Sequence, residues 1–80
     1  MRVVRVDAPS MARLLAARVK ARRYAMGISQ DALAAKVGVD RTYASQIERA
    51  IANPSLQVLC SLATALECSL IDLFTEESVQ

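Results

Sequence analysis

Arg41, Thr42, Ser45 and Gln46 are the residues of this 80-residue chain whose types and spacing suit a definite chemistry. Helical geometry of about 100° per residue puts all four on one arc of roughly 140°, with Ala44 and Ile47 pointing the other way. The groups on that arc match nucleobase edges. An arginine guanidinium donates two parallel bonds to guanine O6 and N7, glutamine pairs with adenine N6 and N7, and a threonine methyl meets the thymine methyl. No Asp, Glu or Lys interrupts the arc. Arg49 lies on the same side one turn farther along and suits a phosphate. Tyr43 stands at its edge, with a ring that packs and a hydroxyl directed to a phosphate or to water.

Catalytic chemistry finds little support. The chain has no histidine, no glycine-rich phosphate loop and no nucleophile beside an evident base. Ser29 and Ser45 are explained by capping and by groove contact. Cys60 and Cys68, eight apart, fit neither a metal motif nor a thiol redox motif and read as small core or interface residues of a reducing compartment. No enzyme activity, metal, cofactor or small-molecule ligand is expected.

Two short helices must position the polar arc. Ser29 caps the first, an acidic residue follows in its first turn, apolar residues recur at helical spacing to Val37, and Gly38 supplies the left-handed residue that stops it. Asp40 caps the second. Helix, glycine turn and helix make the arrangement in which the second helix lies in a DNA major groove. Upstream, Ser10 is expected to cap a helix from Met11 to Met26 with a stripe of Leu15, Val19 and Met26, ended by Gly27. Downstream, Ser55 is expected to cap a fourth helix through Glu67, with Leu56, Leu59, Leu62, Ala63 and Leu66 facing the core. A short fifth helix follows, where Ser69 and Asp72 have capping-box spacing and Leu70, Leu73 and Phe74 close the core. The expected fold is all-α, five helices around one core over residues 10–75. Residues 1–9 form an extended arm, a short strand or a disordered segment, and residues 76–80 a polar tail.

Five ordered segments carry a family resemblance: Gly27-Ile-Ser-Gln-Asp-Ala-Leu-Ala, Gly38-Val-Asp-Arg-Thr-Tyr, Gln46-Ile-Glu-Arg, Asn53-Pro-Ser-Leu and Ser69-Leu-Ile-Asp-Leu-Phe. Together they resemble the phage-repressor and Cro-like helix-turn-helix family over roughly residues 12 to 75, and Asp40-Arg-Thr-Tyr is similar to its restriction-modification controller branch. The resemblance implies base reading by Arg41, Thr42 and Gln46, with Ser45 a weaker candidate. It implies a phosphate contact from Gln30, another from Asn53 in the following loop, and an ion pair between Arg23 and Glu48. Ala50 stands where the family usually has glycine. A left-handed alanine costs about 1 kcal/mol or more, so helix three is expected to run on or to end differently. The segment before Ser10 has no counterpart in the pattern.

Charge and size complete the expectation. Residues 1–27 carry seven basic and one acidic side chain and residues 54–80 four acidic and no basic ones, so a net charge of only +2 is unevenly spread. On a compact fold this gives one cationic face for phosphates and one anionic face turned away. A chain this short has a small core, and Ile51, Val58 and Ile71 fit no core stripe, which points to a twofold homodimer. No apolar run spans a bilayer, and Met1–Pro9 has too short an apolar core for a signal peptide, so a cytoplasmic chain without a separate sensor domain is expected. The expectation is a regulator binding double-stranded DNA at a palindromic operator. Its rival is a protein-interaction module such as an antitoxin-like or adaptor subunit.

Overall fold

A computed structural model describes residues 6–75. Its elements are α1 (Ala8–Met26), α2 (Gln30–Val37), α3 (Arg41–Glu48), α4 (Leu56–Ala65) and a 3₁₀ turn (Ile71–Phe74). The described residues contain no strand. They hold four α-helices rather than the five expected, because the last element closes its bonds at i−3: Leu73 N donates to Leu70 O at 3.2 Å. Its capping box is present, with Ser69 N bonded to Asp72 Oδ2 at 3.0 Å and Asp72 N to Ser69 Oγ at 3.1 Å. Thr75 then turns extended and ends the element. Residues 1–5 of the expected arm and the expected tail 76–80 lie outside the described residues.

The start of α1 corrects the expectation at Ser10. Asp7 is the cap, its Oδ1 accepting from Ser10 N at 2.8 Å, and Pro9 sits in the first turn. Proline is tolerated there because the N–H it lacks has no partner within the helix. Ser10 is thereby inside the helix, where its Oγ accepts from Arg13 at 3.2 Å. Gly27, at φ +68°, ends α1 as expected.

Leu15 and Val19 of α1, Leu33 of α2, Ile47 of α3, Leu62, Ala63 and Leu66 around α4, and Leu73 form one buried cluster. Met26, Leu59, Leu70 and Phe74 pack half-buried against it. Leu56 does not join them. It is 67% exposed because it is the first residue after the Ser55 cap, before the helix has turned toward the core. Burying a leucine or valine fully stabilises a fold by about 1.5 to 3 kcal/mol, so Leu33, Leu62, Leu66, Leu73 and Val19 hold the helices in place.

Two helices end on left-handed residues other than glycine. Ala50, at φ +62°, lets Ala50 N reach Ile47 O at 3.1 Å and Ile51 N reach Gln46 O at 3.0 Å. This is a Schellman closure, and the carbonyls it satisfies offset the strain that alanine incurs there. Helix three therefore stops at Glu48 and does not run on. Glu67, at φ +57°, closes α4 the same way, two residues earlier than expected, through Cys68 N to Ala63 O at 3.0 Å. Arg22 of α1 donates to Leu66 O at 3.2 Å and Glu67 O at 3.3 Å, setting a cation on that carbonyl-rich end.

Candidate nucleic-acid interface

Helices α2 and α3 meet at Gly38, whose φ of +87° turns the chain while its N–H bonds Ala34 O at 2.8 Å. Ser29 Oγ accepts from Ala32 N at 3.0 Å and Asp40 Oδ1 from Tyr43 N at 2.8 Å, so both helices start where the capping residues indicate. Along α3, Ala44, Ile47 and Glu48 are buried. Arg41 and Thr42 are exposed and Ser45 and Gln46 half-buried, on a side of α3 turned away from Ala44 and Ile47. Tyr43 is half-buried with its ring against the core, whereas Arg49 and Asn53 are exposed.

A buried ion pair holds α3 in this orientation. Arg23 Nε meets Glu48 Oε2 at 2.6 Å and Arg23 Nη2 meets Glu48 Oε1 at 2.9 Å, a bidentate geometry with Arg23 8% and Glu48 4% exposed. A third guanidinium bond reaches Ile28 O at 3.0 Å, in the connection between α1 and α2. Burial alone would raise the Glu48 carboxyl, but hydrogen bonds from Arg23 and then Gln30 outweigh it and hold it below its ordinary value. Hydrogen bonding to Glu48 raises Arg23 in turn, against the opposing effect of burial.

Gln30 takes part in the same network, its Nε2 donating to Glu48 Oε1 at 3.1 Å. One amide hydrogen is thereby engaged, and the other remains for an outside acceptor. A second Arg–carboxylate contact was missed in the sequence. Arg41 Nε lies 3.6 Å from Asp31 Oδ1, with the two side chains 69% and 74% exposed. Asp31 reads locally as an acid in the first turn of α2, and only the angle between α2 and α3 brings it beside Arg41.

The residues expected at a dimer contact separate into two kinds. Ile51 is 60% and Ile71 77% exposed, while Val58 gives much of its surface to the core. Ile51 borders an apolar groove of about 550 Å³ between the start of α1 and the α3–α4 loop, lined also by Leu15, Pro54, Leu59 and Phe74. Cys60 is exposed and Cys68 half-buried, and both are free thiols. No helix among the described residues is long and apolar enough to cross a membrane.

The sequence model of a family described as "Helix-turn-helix" matches residues 19–73. The HTH-type transcriptional regulator SlrR of Bacillus subtilis (strain 168) is 41% identical over 54 residues, which are 66% of this chain and 36% of that protein. The chain therefore spans about a third of the length of this relative. Among solved structures, the restriction-modification controller protein C.AhdI from Aeromonas hydrophila superposes with a TM-score of 0.77 at 37% identity, over 81% of this chain and 98% of that one. The DNA-binding domain of the P22 C2 repressor superposes with a TM-score of 0.72 at 39% identity, over 74% of this chain and 78% of that one.

Proposed function

The chain belongs to the helix-turn-helix family, and from that premise we propose that it is a cytoplasmic transcription regulator that binds double-stranded DNA sequence-specifically as a homodimer. The observation that carries this reading is the outward polar side of α3, on a helix packed from the opposite side by Ile47 and anchored at its flank by the buried Arg23–Glu48 pair. A rigidly held helix can present Arg41, Thr42 and Gln46 to base edges in a fixed register, with Ser45 beside them. Gln30, Tyr43, Arg49 and Asn53 would hold phosphates on either side and set the docking angle. Ile51 and Ile71, with the edge of Val58, would form the twofold contact. Two recognition helices would then enter successive major grooves about 34 Å apart on a palindromic operator.

The test begins with duplexes selected from a random pool. Arg41→Ala should lose about 1 to 3 kcal/mol on the selected site and little on random duplex. An equal loss on both would reduce Arg41 to a phosphate contact. Sedimentation of the chain with and without the selected duplex should show a dimer, and a monomer in both samples would refute the assembly. The groove beside Ile51 is the observation that favours a protein-interaction module. A complex with a protein partner, insensitive to salt and formed without any duplex binding, would establish that reading instead.

A further inference from the structure

Helix α1 carries five cations, Arg13, Arg18, Lys20, Arg22 and Arg23, and no carboxylate between Ala8 and Met26. Solvated helices commonly mix both signs of charge along one face, so this composition calls for a reason. Arg22 and Arg23 have internal partners at the end of α4 and at Glu48. Arg13 and Lys20 face outward. With Ala17 and Tyr24 they recur at i, i+4, i+7 and i+11, which sets all four on one face of the helix. That face forms a wall of a groove of about 470 Å³ whose far side is Arg49 at the end of α3.

The walls of the groove are charged and its floor is small. Arg13, Lys20 and Arg49 are exposed cations, Tyr24 is 68% exposed, and Ala17 and Ala21 lie between them. Among the lining residues the single acid is Glu48, which is 4% exposed and already bonded to Arg23 and Gln30. Three positive charges therefore surround a floor with no bulky side chain to keep a polyanion away. Arg49, the residue that follows α3, continues the wheel near about 80°, inside the arc that runs from Arg41 to Gln46, so this one cation borders both the groove and the proposed base-reading side.

Building on the proposed DNA-binding function, we infer that this groove is a second binding site for the phosphodiester backbone of the duplex. Arg13 and Lys20 are roughly 10 Å apart along α1, at 1.5 Å per residue, and contact separate phosphates beyond those held by Gln30 and Asn53. Tyr24 offers its hydroxyl to a phosphate oxygen, and Arg49 joins the groove to the base-reading surface. A protein partner fits less well, since interface cores favour large apolar and aromatic anchors and the floor here is alanine.

The measurement is the salt dependence of duplex binding, by fluorescence anisotropy on a selected and a random duplex with several base pairs of flank. Arg13→Ala/Lys20→Ala should make the slope of log K against log salt shallower by about 2 for each bound protomer, hence by about 4 for the proposed dimer, equally on both duplexes, as loss of two phosphate contacts per protomer requires. Lys36→Ala, which removes a cation at the far end of α2, should leave the slope unchanged, and the charge-conserving Arg13→Lys/Lys20→Arg should restore it. A wild-type slope in the double alanine variant overturns the inference, as does an equal change from Lys36→Ala. If the double variant keeps the wild-type slope while the Arg41-dependent preference remains, only the groove assignment falls. If the wild-type chain binds no duplex, the DNA-binding reading falls with it.

Discussion

Two arginine–carboxylate pairs tie the helix-turn-helix together, and they differ in almost every physical respect. Arg23 and Glu48 are buried, bidentate and 2.6 Å apart, with Gln30 and Ile28 O completing the hydrogen bonding. Arg41 and Asp31 are 3.6 Å apart and open to water. Desolvating the first pair is expensive, so its worth lies in the loss that follows when one partner is removed. The second is screened by solvent and contributes about 0 to 1 kcal/mol. The buried pair fixes where α3 lies, whereas the exposed one leaves Arg41 able to exchange its partner for a base.

The contrast predicts its largest effect at Glu48. Glu48→Ala leaves the Arg23 guanidinium buried without its counter-charge and should cost about 3 to 5 kcal/mol in urea unfolding. A loss below 1 kcal/mol would place the two pairs in one class. Acid titration sharpens the same point. The folded Glu48 carboxyl titrates below its ordinary value of 4.5, so the stability it contributes is complete above that value and disappears as the pH falls through the lowered folded one. The drop in unfolding free energy with acid should therefore be steeper in the wild type than in Glu48→Gln, and parallel curves would detach the carboxylate from the stability of the fold.

The smallest effect belongs to Asp31. Asp31→Asn removes a screened charge pair and a first-turn acid, and should lower stability by less than about 1 kcal/mol. Thermal melts at low and at high salt check this, and the difference between variant and wild type should narrow as salt rises. A deficit of several kcal/mol that persists in high salt would mean that the exposed pair, too, holds α3 in place.

Local signals located most of the helices. Ser29, Asp40 and Ser55 each cap the helix that follows, and Gly27 and Gly38 each end one. Such bonds span three or four residues and depend on little beyond the backbone near them. Ser10 misled because Pro9 reads as the end of an arm, although proline in a first turn is itself a helix-start signal. Leu56 misled because its place on the wheel suits the core while its place in the first turn does not. The polar side of α3 was legible from its period alone. The Arg23–Glu48 pair followed from family resemblance, since nothing in the local pattern joins residues 25 apart.

What this chain determined by itself is therefore the set of short-range choices: caps, glycine stops, and the alternation that gives α3 one polar and one packing side. Tertiary structure decided which charges meet. Arg22 reaches carbonyls more than 40 positions away, Asp31 comes beside Arg41, Arg13 and Lys20 share a groove with Arg49, and Ala50 accepts a left-handed turn. Each of these depends on the angle at which one helix packs on another. That angle is set by the buried leucines, valine and isoleucine acting together, and no single stretch of sequence contains it.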